Sequence, residues 1–119
     1  MVKILLADDD PFVLRSLITF LKDNVPATVL VEAVTNGQEL IEKVRTNEYA
    51  VILTDNQMPI MTGIEAVREI RTFSQTPIYV LSADDVQVES LAAGATGFYS
   101  KTKEIINDLR EIVRRYITP

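Results

Sequence analysis

Short apolar runs alternate with helical stripes five times along this chain, and that alternation restricts its fold more than any other feature. The runs are Val2 to Ala7, Thr28 to Val34, Ala50 to Leu53, Pro77 to Leu81 and Ala95 to Tyr99. Each has strand length, and several are apolar almost throughout, as strands covered on both faces are. Between them, Val13, Leu14, Leu17, Ile18 and Leu21 form one stripe, Leu40, Ile41 and Val44 a second, and Ile64, Val67 and Ile70 a third. Ile105, Leu109, Ile112, Val113 and Tyr116 form the last and clearest. Start signals agree with the stripes. Asp10 and Pro11 read as an N-cap and a first helical position. Asn36 and Thr62 each precede a glutamate by three residues, Glu39 and Glu65, in capping-box spacing. The weakest segment, Asp84 to Ala93, is short, poorly striped and followed by Gly94. Strand and helix alternating in this way predict an α/β fold, a right-handed, doubly wound parallel sheet of five strands with helices on both faces.

Composition narrows the chemistry. The 119 residues fit one domain, 1–119, and with 47% hydrophobic residues a core forms without disulfides or a structural metal. Seventeen acidic residues against 12 basic ones leave a formal charge of -5. That balance argues against direct nucleic-acid binding, which needs a basic face, and suits a divalent cation. The chain has no cysteine and no histidine, which removes thiol catalysis, histidine base chemistry and zinc sites built on either. Chemistry then falls to carboxylates, hydroxyls, lysine, backbone or a metal. No apolar run is long enough to span a membrane, and Met1-Val2-Lys3-Ile4 leads into three aspartates rather than a secretory cleavage region. A cytoplasmic protein with no membrane attachment is the expectation.

Ligands of open parallel sheets bind beyond the carboxyl ends of the strands, where strand order reverses. Asp8, Asp9 and Asp10 close the first apolar run, Asp55 the third and Ser82 the fourth, while Lys101 follows the fifth. In a 2-1-3-4-5 order, strands one and three flank the reversal, and carboxylates, a hydroxyl and an ammonium converge on one rim. Each residue has an ordinary alternative. Asp10 reads best as a helix cap, Asp8 and Asp9 also fit solvated charge, Ser82 fits a cap and Lys101 a surface lysine. Complementary chemistry at four strand ends is not explained that way. Crowded carboxylates repel until one protonates or a cation neutralises them. Mg²⁺ is the expected cation, because it takes hard oxygen ligands and bridges carboxylates to phosphate. A carboxylate is also a nucleophile toward phosphorus. Mg²⁺, Lys101 and the Ser82 hydroxyl can then each meet one phosphoryl oxygen. The same repulsion predicts that Asp8→Asn or Asp9→Asn holds or raises stability without metal.

The ordered set Ile4-Leu5-Leu6-Ala7-Asp8-Asp9-Asp10-Pro11, Asp55-Asn56-Gln57-Met58-Pro59 with Gly63, Val80-Leu81-Ser82-Ala83 and Gly94 to Lys101 resembles the receiver domain of bacterial two-component response regulators. The resemblance covers nearly the whole chain. It implies a flavodoxin-like sheet and a phosphoacceptor role for Asp55. It also implies a metal site of Asp8, Asp9, Asp55 and the Gln57 backbone carbonyl, filled by Mg²⁺ with Mn²⁺ as an alternative. Asp9 would bind the ion directly and Asp8 mostly through water. Lys101 would pair with the phosphoryl group or with Asp55. Ser82 would turn toward the phosphate, Phe98 would swing into the vacated space, and helix 4, strand 5 and helix 5 would form the output face. Phe98 as plain core is an equal reading. Gln57 and Asp84 stand where the family tunes hydrolysis of the acyl phosphate, against the alternative of simple solvation. The implied partners are a sensor histidine kinase or phosphotransfer protein and a second copy through the helix 4–strand 5–helix 5 face. The implied domain is a signalling phosphoacceptor rather than a metabolic enzyme. The residues Gly97 to Thr102 lean toward receivers joined to helix-turn-helix outputs, and the chain is either stand-alone or part of a longer regulator. One departure concerns the lysine loop. The family usually has proline after the lysine, often with a cis bond, whereas Thr102 follows Lys101 here. A cis bond before threonine would cost roughly 3–4 kcal/mol, so the loop runs either strained or trans.

Two other readings compete. A haloacid-dehalogenase-like phosphatase would use Asp8-x-Asp10, but it needs a larger chain and leaves Asp55 idle. A flavin or nucleotide module would need a glycine- or serine-rich phosphate loop after strand one, where this chain is acidic.

Overall fold

A computed structural model describes residues 1–102 and 104–117. The elements alternate as expected: β1 (Lys3–Ala7), α1 (Pro11–Asn24), β2 (Leu30–Val34), α2 (Gly37–Thr46), β3 (Val51–Thr54), α3 (Gly63–Ile70), β4 (Ile78–Ser82), α4 (Gln87–Ala93), β5 (Gly97–Ser100) and α5 (Ile105–Tyr116). The five strands pair in parallel in the order β2-β1-β3-β4-β5. This is the flavodoxin-like order, with strand order reversing between β1 and β3.

Side-chain alternation along each strand feeds two separate cores. Leu5, Ala7, Ile52, Ile78 and Val80 point to one face, where they pack under α2 and α3 with Leu40, Ile41, Ala66, Val67 and Ile70. Ile4, Leu6, Val51, Leu53, Tyr79 and Leu81 point to the other, under α1 and α5 with Leu21, Leu109, Ile112 and Val113. Burial on both faces explains why β1, β3 and β4 read as unbroken apolar runs. The α1 stripe is less covered than its spacing suggests. Only Leu21 is buried there, while Leu14, Leu17 and Ile18 are half-buried.

Caps form as the sequence implies. The Asp10 carboxylate accepts from the Phe12 and Val13 amides, with Pro11 opening α1. Thr62 and Glu65 make a full reciprocal capping box at α3. At α2 the box is incomplete: Asn36 accepts from the Glu39 amide, but the Glu39 carboxylate turns to the amide and hydroxyl of Thr35.

Five boundaries differ in ways that bear on the rim or its supports. β2 starts at Leu30 rather than Thr28, because the Val29 amide is spent on a turn to the Pro26 carbonyl. β3, β4 and β5 each extend one residue further along the chain than their apolar runs, into Thr54, Ser82 and Ser100. α4 begins at Gln87 rather than Asp84, with no side chain capping its first turn. Asp84 is instead held in a bend, its amide donating to the Ser82 hydroxyl and its carbonyl accepting from Val86. The Lys101–Thr102 bond is trans, as is every peptide bond among the described residues.

Candidate functional site

Register brings the polar residues together. Ala7 pairs with Thr54 across β1 and β3, so the residues that follow, Asp8 and Asp55, leave the sheet side by side. The Asp55 amide donates to the Ala7 carbonyl at 2.8 Å, which carries the pairing one residue past the strand. Ser82 pairs with Ser100, which puts Lys101 just beyond β4, and the Lys101 amide donates to the Ser82 carbonyl at 3.0 Å.

Asp8, Asp9 and Asp55 each present a carboxylate oxygen within 4.8 Å of the others. Asp8 is buried, Asp55 half-buried and Asp9 exposed. The Lys101 ammonium enters this group from β5. It donates to Asp8 at 2.6 Å and lies 3.4 Å from Asp55. Asp8 also accepts from the Asp10 amide, which fixes the β1–α1 loop. Burial pushes the Asp55 carboxyl above its usual range, with Asp8 reinforcing the shift and Lys101 and the Asn56 amide opposing it. A group in that position favours either a proton or a nearby cation over bare ionisation.

The donor set suits Mg²⁺. An octahedral Mg²⁺ holds oxygens at about 2.1 Å, about 4.2 Å between opposed ligands, so carboxylate oxygens within 4.8 Å of one another fit after a small shift or with a bridging water. All are hard oxygen donors, and no soft ligand competes.

The loop after β3 is shaped by a glycine. A Cβ on Gly63 would lie 2.0 Å from the Asp55 carbonyl oxygen, so only glycine lets α3 begin against the backbone of Asp55. Asn56 completes the closure, its side chain accepting from the Ile64 amide and its carbonyl from the Gly63 amide. Ile60, in the same loop, is 82% exposed and holds φ at 70°, a strained setting for a β-branched residue.

Ser82 is buried, and its hydroxyl accepts from the Asp84 amide at 3.1 Å, so it braces a bend and not a helix. Phe98 pairs in register with Val80 and is half-buried against the α2–α3 core, on the same side of the sheet as Ser82. Gln57 donates to Asp84 at 3.0 Å, joining the β3–α3 and β4–α4 loops across the rim. Beside Lys101, an apolar groove opens between α1 and α5, walled by Phe12, Leu17, Phe20, Ile105 and Ile106 over Leu81.

Sequence reasoning brought Asp8, Asp9, Asp55, Ser82 and Lys101 to this rim, and they stand there. It missed Asn56 and the packing role of Gly63, whose only signal was their place inside the Asp55-to-Gly63 motif.

The family model described as "Response regulator receiver domain" matches residues 4–114. Protein-glutamate methylesterase/protein-glutamine glutaminase of Methanococcus maripaludis is 34% identical over 98% of this chain, but over only 33% of that protein. The chain thus spans about a third of the length of such curated relatives. Among solved structures, a chemotaxis response regulator of Vibrio cholerae matches with a TM-score of 0.83 at 31% identity, covering 98% of this chain and 99% of that one. The receiver domain of a Pseudomonas aeruginosa sensor histidine kinase, with magnesium coordinated in its active-site cleft, matches with a TM-score of 0.84 at 27% identity over 99% and 98%.

Proposed function

This chain belongs to the response-regulator receiver domains, and on that premise we propose that it accepts a phosphoryl group on Asp55 from the phosphohistidine of a sensor kinase or phosphotransfer protein. The observation that carries the reading is the meeting of Asp8, Asp9 and Asp55 within 4.8 Å, with Lys101 bridging two of them.

Asp8, Asp9, Asp55 and the Gln57 backbone carbonyl would hold Mg²⁺, with Mn²⁺ as a substitute. When bound, the ion supplies positive charge at the phosphoryl oxygens. An Asp55 carboxylate oxygen forms a bond to phosphorus as the phosphorus–nitrogen bond to the donor imidazole breaks. The imidazole leaves with that electron pair and takes a proton from solvent. Lys101, already 3.4 Å from Asp55, turns from Asp8 to a phosphoryl oxygen. The Ser82 hydroxyl turns to another and releases the Asp84 amide. Phe98 follows into the space that Ser82 leaves. The bend at Asp84 then loses its brace, and the face made by α4, β5 and α5 is remodelled. The Gln57–Asp84 bridge sets how readily water reaches the acyl phosphate.

The apolar groove between α1 and α5 abuts Lys101, which suits it to a helix of the phosphodonor carrying its histidine over the rim. Val88 and Leu91, exposed on α4, suit contact with a second copy. For the output, the methylesterase relatives favour an effector domain of that class over the helix-turn-helix suggested by Gly97 to Thr102. No described helix is long and apolar enough to cross a membrane, in keeping with cytoplasmic signalling.

The test is intact mass after incubation with Mg²⁺ and acetyl phosphate. One added phosphoryl group, which does not form when the metal is chelated beforehand and is absent in Asp55→Asn, supports the reading. No adduct on the native protein overturns it.

A further inference from the structure

Arg71 lies far from the acidic rim, yet its guanidinium is the most heavily engaged cation among the described residues. It caps the end of α3 and is half-buried. Its Nε donates to the Gly94 carbonyl at 2.8 Å, and its Nη1 to the carbonyls of Ser74 and Thr76 at 3.1 and 2.8 Å. Its Nη2 reaches the Thr96 hydroxyl at 3.4 Å, and that hydroxyl in turn accepts from the Ile78 amide at 3.0 Å. One planar fork therefore ties the end of α3, the entry to β4 and the α4–β5 turn.

The two ends of α4 are held very differently. At its C-terminal end, Gly94 closes the helix at φ 109° with its amide turned back to Ser90 and Leu91, and the Ala95 amide also returns to Ser90. The Arg71 side chain lies so close that a Cβ on Gly94 would stand 2.7 Å from Arg71 Cγ. At its N-terminal end, Val86 has no side-chain cap and is only partly buried against the α2–α3 core, and the preceding bend is held by the Val86 amide on the Asp84 carbonyl, by the Ser82 hydroxyl and by Gln57. Of the helix, only Ser90 at its midpoint and Ala93 at the Arg71 end are buried.

We propose that Arg71 fixes the C-terminal end of α4, so that the switch at Ser82 swings the helix about Gly94 and displaces its N-terminal end alone. The proposal rests on the phosphoacceptor reading above and adds to it the pivot and the residue that holds it. Signal then leaves through the loop at Ala83–Val86 and the first turn of α4, including Val88, while the turn at residues 94–96 stays docked on α3.

Peptide-resolved hydrogen exchange on the whole chain, with and without Mg²⁺ and acetyl phosphate, tests it, with intact mass read on the same samples. In native protein carrying the adduct, exchange should change at 83–89 and stay constant at 93–97. In Arg71→Lys, whose ammonium cannot span these acceptors together, the change should spread through 93–97 while phosphoryl uptake is retained. Equal changes at both ends of α4 in the native protein overturn the proposal, as does an Arg71→Lys pattern identical to native. Should Arg71→Lys fail to fold, the native comparison decides alone. Native protein without an adduct overturns the phosphoacceptor reading, and the pivot with it.

Discussion

The Lys101 ammonium donates to Asp8 at 2.6 Å and stands 3.4 Å from Asp55, so one cation just beyond β5 joins carboxylates that follow β1 and β3. This pair has a consequence that carboxylate crowding alone does not suggest. Asp8 is buried and already neutralised by a partner, whereas Asp9 is exposed. The expectation that removing either charge relieves repulsion therefore divides. Asp8→Asn should lower metal-free stability by roughly 1–3 kcal/mol, since it breaks a buried ion pair while keeping one acceptor. Asp9→Asn should leave metal-free stability unchanged or raise it, and both should weaken Mg²⁺ binding. Thermal unfolding with and without Mg²⁺ separates them, and equal metal-free behaviour of the two variants would count against the Lys101 pairing.

The contact between Gly63 and the Asp55 carbonyl makes a second prediction. Gly63→Ala would press a methyl group to 2.0 Å from that oxygen, so the β3–α3 loop must shift and carry the carboxylate with it. The expected cost is about 1–3 kcal/mol, together with a drop in Mg²⁺ affinity. Affinity equal to native in the folded variant would show that the loop yields without moving Asp55.

Gln57 and Asp84 touch at 3.0 Å over the rim. Asp84→Ala should shorten the lifetime of the acyl phosphate by opening the path for water, and Gln57→Ala should do the same. Because the two act as one bridge, the double variant should add little beyond either single change. Phosphoryl decay after removal of the donor measures this, and fully additive effects would mean that the side chains act separately.

Alkaline pH probes the opposite face of the sheet. Burial, and then the hydrogen bond with Tyr116, push the Tyr79 phenol up to about 12. An unfolded tyrosine ionises near pH 10. The native state thus holds its proton more tightly, so this stability is complete below about pH 10 and is lost as pH rises toward about 12. Tyr79→Phe retains the ring stacked on Tyr99 at 5.6 Å and should flatten the alkaline decline, at the cost of about 1 kcal/mol near neutrality for the lost hydrogen bond. Urea midpoints across that range test the slope.

Much of this molecule was legible in the sequence because its information is local. Apolar periodicity marked every element except the poorly striped α4, and a parallel sheet dictates that residues closing strands share one rim. Asp8, Asp55, Ser82 and Lys101 needed no more than that. What escaped depends on the directions side chains take after the chain has closed. Lys101 prefers Asp8 to Asp55, at 2.6 against 3.4 Å, an outcome set by how the closed loops place the three side chains. Asp84 looked like a helix start because acidic residues suit that position, yet the Ser82 hydroxyl captures its amide and delays α4 by three residues. The Arg71 fork had no sequence signature, since its acceptors are almost all backbone carbonyls distributed over 23 residues.

The most direct measurement locates the phosphoryl group. Protein treated with Mg²⁺ and acetyl phosphate is reduced with borohydride, which converts an aspartyl phosphate to homoserine, then digested and sequenced by mass spectrometry. The account predicts homoserine at position 55 and nowhere else. Homoserine at position 8 with Asp55 untouched would contradict it and favour phosphatase chemistry on the first strand.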